Sequence, residues 1–209
     1  MEKLMNFIKK SIRYLLESFL SKLGYRLEPK NFLTPHLVDQ EFMSIFSKQA
    51  SFGWEEGGPK IEKLFLLKDL LISNRKIEGD LAECGTFKGS SALIIAEYMM
   101  RYDDFDRRQF HIFDSFEGLD NPTSDDGNTD MVKGDYYGSL EEVKENLNQY
   151  TSIDFHKGWI PDKFHEVENI TFSFVHIDLD FYDPIKDSIN FFSERLSIGG
   201  ILLFDDYGQ

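Results

Sequence analysis

The chain has 209 residues, 41% of them hydrophobic and 15% aromatic, which is enough for one globular domain with an appended segment and excludes a disordered chain. A single cysteine, Cys84, excludes a disulfide-stapled fold and favours a reducing, cytoplasmic location, and no apolar run reaches the roughly 18 residues of a membrane span. The formal net charge of −14 opposes binding to nucleic acid.

Residues 1–30 carry the opposite charge from the rest of the chain. Seven basic and three acidic residues give this segment +4 and leave −18 on the remainder. Leu4, Ile8, Ile12 and Leu15 recur at three- and four-residue steps, which predicts a basic amphipathic helix. We expect this helix to pack on the main domain or on a second subunit of a homo-oligomer. The alternative is peripheral contact with the inner face of an anionic membrane.

Residues 31–59 are expected to form a linker that leads into the main domain, because prolines and glycines punctuate them. Within residues 60–209, helix-like and strand-like segments alternate. Helices are predicted at 61–72, 90–100, 140–149, 161–167 and 183–196, with a capping box Ser139-x-x-Glu142 before the third and Asp183 as N-cap of the last. Strands are predicted at 80–84, 110–114, 153–156, 172–177 and 201–204. This alternation predicts an α/β fold, a mostly parallel sheet with helices on both faces.

In such sheets a ligand binds beyond the carboxyl ends of the strands, near the point where the strand order reverses. Acidic or glycine residues stand at all five predicted ends: Glu83-Cys84-Gly85, Asp114-Ser115, Lys157-Gly158-Trp159, Asp178-Leu179-Asp180 and Asp205-Asp206. The spacing of Gly85 and Gly89 matches neither a dinucleotide fingerprint nor a phosphate loop. It suits a nucleoside-like cofactor without phosphates, and Asp114 is placed to accept the hydroxyls of a ribose.

Four motifs follow one another between residues 60 and 208. They read Glu83-x-Gly85-x-x-x-Gly89-x-Ser91, Phe113-Asp114-Ser115-Phe116-Glu117-Gly118-Leu119, Val175-His176-Ile177-Asp178-Leu179-Asp180-x-Tyr182, and Gly199-Gly200 with Asp205-Asp206-Tyr207-Gly208. Together, in this order, they resemble the macrocin O-methyltransferase (TylF/MycF-like) family of class I S-adenosylmethionine-dependent methyltransferases.

The resemblance implies a Rossmann-like fold, S-adenosyl-L-methionine, Mg²⁺, and an acceptor hydroxyl on a small molecule or glycan, often on a sugar. It also implies roles for individual residues. Asp180 would be the general base, and Asp178, Asp205 and Asp206 the metal ligands. The cofactor would be bound by Glu83, Gly85, Thr86, Gly89, Ser90, Ser91, Asp114, Ser115, Gly158 and Trp159. Because class I members add a helix and an antiparallel strand pair after the fifth strand, the chain is expected to lack the last strands of the sheet.

Several alternatives stay open. Asp178-Leu179-Asp180 is also a pattern that holds a metal and a nucleotide diphosphate in glycosyltransferases, and an inactive, truncated binding domain is a third hypothesis. His176 is expected to be a hydrogen-bonded core residue rather than a catalytic one, and Cys84 a small buried residue. Trp159 either stacks on the adenine or packs. The polar stretch 121–138 is expected to order over cofactor or acceptor.

Overall fold

The computed structural model describes residues 39–49, 52 and 61–205. These residues belong to one compact unit, Asp39–Gln209. The predicted basic helix in residues 1–30 and the predicted metal ligand Asp206 lie outside the described residues. Within the described part of the chain, no helix has the length and apolar character that crossing a membrane requires.

Helices and strands follow the predicted alternation. The α-helices are α1 Gln40–Lys48, α2 Ile61–Asn74, α3 Ser90–Arg101, α4 Leu140–Asn146 and α5 Tyr182–Ser193. The strands are β1 Asp80–Cys84, β2 Phe110–Asp114, β3 Ile153–Lys157, β4 Phe172–Ile177 and β5 Leu196–Phe204. Short 3₁₀ helices span Asp103–Phe105, Ser124–Asp126 and Asp162–Val167.

The five strands form one parallel sheet in the order β3-β2-β1-β4-β5. The chain first builds outward from β1 to β3 and then returns to the other side of β1 with β4. The order therefore reverses between β1 and β4, which is where a ligand is expected. This topology confirms the predicted Rossmann-like α/β fold.

Side chains of alternate strand residues point into two hydrophobic cores, one on each face of the sheet. Leu81 points to the face covered by α1, α2 and α3, where Phe42 and Leu71 are fully buried. Ala82 points to the opposite face, where a cluster of phenylalanines packs against α5 and the Asp162–Val167 turn. Both cores end below the carboxyl ends of the strands, so they form a rigid floor for any site there.

Helix α1 lies inside the region expected to be a linker. Asp39 caps it by accepting a hydrogen bond from the backbone N–H of Phe42 at 2.9 Å. Phe42 and Ile45, three residues apart on one side of the helix, are fully buried. The prolines and glycines around this helix favour a linker, so its short apolar stripe did not lead to the prediction of a helix.

Several element boundaries differ from the sequence prediction: α4 ends at Asn146 rather than at 149, α5 ends at Ser193 rather than at 196, and the segment 161–167 is the 3₁₀ helix Asp162–Val167. Two further differences lie near the strand ends. Helix α5 begins at Tyr182 with Phe181 as N-cap, so Asp183 lies in the first turn and is not the cap. Strand β5 begins at Leu196 rather than at residue 201 and contains the Gly199-Gly200 pair. Its register with β4 jumps from Phe172↔Leu196 to Phe174↔Ile201, so the glycines form a bulge inside the strand rather than ending the connection before it.

Candidate functional site

A cavity of about 660 Å³ opens at the carboxyl ends of the strands. It collects residues from all five predicted strand ends, although these are far apart in the sequence. The predicted site residues on its wall are Gly85, Thr86, Ser90, Ser91, Asp114, Ser115, Gly158, Trp159, Asp178, Asp180 and Asp205. Glu83 and Gly89 are not on the wall, and Asp206 lies outside the described residues.

The turn between β1 and α3 is shaped by its two glycines. Gly85 has a φ of +82°, and a Cβ there would lie 1.8 Å from the carbonyl oxygen of Asp178. Its missing side chain therefore lets the ends of β1 and β4 approach each other and is not space left for a ligand. Gly89, the N-cap of α3, has a φ of +88° and turns the chain into the helix.

Two buried hydroxyl groups belong to this turn. Thr86 Oγ1 and Ser90 Oγ are buried and have no hydrogen-bond partner among the residues that the structure describes. Both residues line the cavity. Because a buried hydroxyl without a partner costs about 1–3 kcal/mol, these atoms fit a polar ligand that is bound against the turn.

Asp114, at the end of β2, is turned toward the same backbone. Its Oδ2 accepts hydrogen bonds from the N–H groups of Thr86 at 2.8 Å and Phe87 at 3.3 Å, and its Oδ1 accepts one from Phe116 at 2.7 Å. Burial raises the pKa of Asp114 and outweighs these three bonds, which lower it. The side chain thus fixes the turn, while its contact with a ribose stays a prediction.

Behind the cavity wall lies a buried pair formed by Glu83 and His176. Glu83 Oε1 is 2.9 Å from His176 Nδ1, and Glu83 Oε2 has no partner within the described part of the chain. Burial acts to lower the pKa of His176, but its bond to Glu83 and the charges of Glu83, Asp178 and Asp205 raise it overall. His176 is buried and hydrogen-bonded as predicted, and it also lines the cavity, which the sequence analysis did not foresee.

The wall carries far more negative than positive charge. Seven aspartates line the cavity: Asp114, Asp120, Asp126, Asp178, Asp180, Asp183 and Asp205. Among described residues, Lys63 of α2 is the only lysine or arginine on the wall, and its ammonium group forms an ion pair with Asp205. Sequence reasoning missed Lys63, because no local pattern signals a contact across 142 residues.

Two of the three predicted metal ligands share this wall. Asp178 follows β4 and Asp205 follows β5, so they come from neighbouring strands. Carboxylate oxygens are the ligands that Mg²⁺ prefers. Within the described residues, no three His, Cys, Asp or Glu side chains converge as a metal-binding group, and the third predicted ligand, Asp206, is not among them.

Asp180 sits on a strained turn at the cavity. Its φ is +59°, in the left-handed region that side-chain-bearing residues rarely adopt. The N–H of the following Phe181 donates to the carbonyl of Leu179 at 2.6 Å, which closes a three-residue turn around Asp180. Such strain is concentrated at functional sites, where the surrounding structure holds it in place.

The loop of residues 119–138 forms the outer wall. Leu119, Asn121, Thr123, Met131 and Tyr136 all line the cavity, and Tyr136 packs edge-on against Phe87 of the glycine turn. Trp159 also lines the cavity and is 38% exposed, with the ammonium group of Lys133 6.0 Å from its ring centroid. The loop therefore lines the cavity, and the ordering of residues 121–138 over the cofactor or acceptor stays a prediction.

Two known O-methyltransferases are similar to this chain in sequence. An 8-demethyl-8-(2,3-dimethoxy-alpha-L-rhamnosyl)-tetracenomycin-C 4'-O-methyltransferase of Streptomyces olivaceus is 29% identical over 141 residues, 63% of this chain and 54% of the relative. Mycinamicin III 3''-O-methyltransferase of Micromonospora griseorubida is 28% identical over 143 residues, 63% of this chain and 56% of the relative. The chain thus spans little more than half the length of these two relatives.

A solved structure shares the fold. The O-methyltransferase NovP superposes with a TM-score of 0.57 at 26% identity, covering 70% of this chain and 65% of that one. The model of the macrocin-O-methyltransferase (TylF) family matches residues 62–209, which include β1 to β5 and the cavity between them. This assignment favours the methyltransferase hypothesis over the glycosyltransferase alternative. The chain belongs to the macrocin-O-methyltransferase (TylF) family.

Proposed function

We propose that the protein is an S-adenosylmethionine-dependent O-methyltransferase that methylates a hydroxyl group of a sugar and uses Mg²⁺. The observation that carries the proposal is the cavity at the reversal of strand order. Its wall includes Thr86 and Ser90, whose hydroxyls lack partners among the described residues, and a group of aspartates. The family assignment supports the reaction class, and the names of the two relatives support a glycosyl acceptor.

S-adenosylmethionine would lie along the β1–α3 turn. When bound it supplies an electrophilic methyl group on a positively charged sulfonium sulfur. Thr86 and Ser90 would bind it through their buried hydroxyls, which lack hydrogen bonds within the described part of the chain, and Asp114 would keep the turn in shape. The excess of carboxylates on the wall favours a cationic cofactor over an anionic one.

The acceptor hydroxyl would lie between this turn and Asp180. A neutral alcohol is a poor nucleophile, so a carboxylate would take its proton as the oxygen bonds to the methyl carbon and the sulfur–methyl bond breaks, with its electron pair left on the sulfur. Asp180 lines the cavity, and the strained turn holds its backbone in a fixed position, so its short side chain has little freedom to move. We therefore assign it the role of general base.

Asp178 and Asp205 would hold the metal together with Asp206. The ion they would hold would supply Lewis acidity that lowers the pKa of the acceptor hydroxyl, so that Asp180 could take its proton more easily. It would also offset the repulsion among carboxylates that face one cavity. Asp205 already pairs with one cation, the ammonium group of Lys63, so its carboxylate oxygens are placed to face a positive charge.

The experiment is methyl transfer from isotopically labelled S-adenosylmethionine to simple alkyl glycosides, beginning with an α-L-rhamnoside, with Mg²⁺ and with EDTA. We expect a labelled methyl ether that requires Mg²⁺, and a loss of about 100-fold or more in kcat for Asp180→Asn. The matched control is Asp187→Asn, which removes a carboxylate from α5 away from the cavity wall. Transfer that is unaffected by Asp180→Asn would refute the assigned base, and transfer that is unaffected by EDTA would refute the metal.

A further inference from the structure

One side chain fastens the 119–138 loop to the start of helix α5. Asp126 Oδ1 accepts a hydrogen bond from the backbone N–H of Tyr182 at 2.7 Å. Its Oδ2 accepts bonds from the N–H of Thr123 at 2.6 Å and from the Thr123 hydroxyl at 3.0 Å. The same carboxylate thus closes its own 3₁₀ turn and reaches a helix 56 residues away in the sequence.

Helix α5 depends on this contact because its own sequence supplies little capping. Its N-cap, Phe181, has no side-chain cap, and Pro184 in the first turn has no N–H to offer. The amide of Tyr182 is therefore one of the few exposed donors at this end, and Asp126 satisfies it from outside the helix. A carboxylate is the favourable group there, since the helix dipole places partial positive charge at its N-terminus.

The strained turn at Asp180 lies directly before this capped amide. The N–H of Phe181 is held by the carbonyl of Leu179 and the N–H of Tyr182 by Asp126, so two consecutive amides after Asp180 are fixed. A residue stays in the left-handed region only while its surroundings hold it there. Release of Tyr182 removes one of these two restraints and allows Asp180 to relax toward an ordinary backbone conformation.

The loop that carries Asp126 is also part of the cavity wall, through Thr123, Met131 and Tyr136. We propose that Asp126 is a positioning residue that couples closure of the 119–138 loop to the placement of Asp180, so that the base is aligned only when the loop covers the cavity. This inference rests on the role of Asp180 in the proposed function. Asp126 itself does not act on the substrate.

The test is hydrogen exchange of individual amides in the full chain, with S-adenosylhomocysteine as the ligand. We compare Asp126→Ala, Asp126→Asn and Asp125→Ala; the last removes an exposed carboxylate from the same 3₁₀ turn. In Asp126→Ala we expect about tenfold faster exchange both in the 119–138 loop and at the amide of Phe181, which Asp126 does not touch. Asp126→Asn keeps an acceptor oxygen and should show an intermediate effect, and Asp125→Ala none.

A change confined to the loop, with Phe181 as protected as in the wild type, would overturn the coupling. Unchanged exchange both in the 119–138 loop and at the amide of Phe181 would show that Asp126 does not hold the loop to α5. These outcomes are separate from the proposed function, which fails if the folded wild-type chain does not bind S-adenosylhomocysteine in calorimetry.

Where a glycoside acceptor is found, Asp126→Ala should lower kcat about tenfold while KM for S-adenosylmethionine stays within about twofold, because the cofactor turn is intact.

Discussion

Glu83 on β1 and His176 on β4 are register partners in adjacent parallel strands, and Glu83 Oε1 lies 2.9 Å from His176 Nδ1. Both side chains are buried. The two strands flank the point where the strand order reverses, so the pair lies at the cavity. His176 lines the cavity, and Glu83 binds His176 from behind the wall.

Replacing Glu83 should lower the pKa of His176. The pKa is raised in the wild type, so the pair contributes stability fully below about pH 6.5, the ordinary histidine pKa, and loses it as the pH rises through the folded-state pKa. Glu83→Gln should bring the pKa of His176 below its ordinary value, as measured by NMR titration of the imidazole. Glu83→Ala should cost about 3–5 kcal/mol of unfolding free energy, since it leaves a buried group without its partner.

The control for this pair is Glu117→Gln, which neutralises an exposed glutamate after β2. It should leave both the imidazole titration and the unfolding free energy unchanged. If Glu83→Gln leaves the pKa of His176 as high as in the wild type, the pairing is not what raises it.

Asp114→Asn should weaken binding of S-adenosylhomocysteine about tenfold, because an amide oxygen accepts fewer of the backbone hydrogen bonds that shape the β1–α3 turn. Isothermal titration calorimetry measures the effect. Asp154→Asn, on the exposed side of neighbouring β3, is the matched control and should bind normally. Equal affinity for the two variants would mean that the turn does not form the cofactor site.

Lys63→Met should tighten Mg²⁺ binding about fivefold, because it removes a cation that neutralises Asp205. Calorimetric titration of Mg²⁺ into the chain saturated with S-adenosylhomocysteine provides the measurement. Asp205→Asn should weaken Mg²⁺ binding in the same assay. Lys76→Met, at an exposed position just after α2, controls for the change in net charge. Weaker Mg²⁺ binding in Lys63→Met than in this control would show that Lys63 supports the metal rather than competes with it.

Acid should destabilise the fold through a histidine network on the other face of the sheet. His156 Nε2 lies 3.0 Å from His111 Nδ1, and its Nδ1 lies 2.6 Å from Glu166 Oε2. Burial lowers the pKa of His156, and hydrogen bonds from Lys163 and His156 lower the pKa of Glu166 to about 2. Stability linked to His156 is therefore lost as the pH falls below about 6.5, and that linked to Glu166 between about 4.5 and 2.

Urea unfolding at a series of pH values measures this dependence. We expect protonation of His156 to lower the midpoint between pH 7 and pH 5, against the opposite contribution of His176, and His156→Phe, which keeps a ring stacked on Phe113, to remove that loss. His165→Phe replaces an exposed histidine nearby and should retain the wild-type slope. A slope that His156→Phe leaves unchanged would assign the acid sensitivity to other groups.

Local sequence patterns predicted the sheet well. Strands β1, β2 and β4 have the predicted bounds because each is a short apolar run that ends in a carboxylate, a cysteine or a turn. The Ser139 capping box was confirmed with both of its hydrogen bonds. The convergence of the strand ends on one cavity followed from the parallel topology alone.

Local sequence patterns do not predict contacts between residues that are far apart in the sequence. The ion pair of Lys63 with Asp205 and the capping of α5 by Asp126 both join segments that only the folded sheet brings together. The Asp183-Pro184 pair is a good local signal and predicts Asp183 as the N-cap of α5. In the structure Phe181 is the N-cap, and the carboxylate of Asp126 accepts a hydrogen bond from the N–H of Tyr182. The sequence predicts that Gly85 binds the cofactor, and the structure places it on the cavity wall, where its lack of a side chain lets β4 approach.

The most direct test of the central claim is calorimetric competition on the full folded chain between S-adenosylhomocysteine and a nucleotide-sugar such as UDP-glucose. We expect S-adenosylhomocysteine to bind with one site per chain and to bind more weakly in Asp114→Asn, and we expect UDP-glucose neither to bind nor to compete. Binding of UDP-glucose together with no binding of S-adenosylhomocysteine would show that the cavity is not a methyltransferase cofactor site.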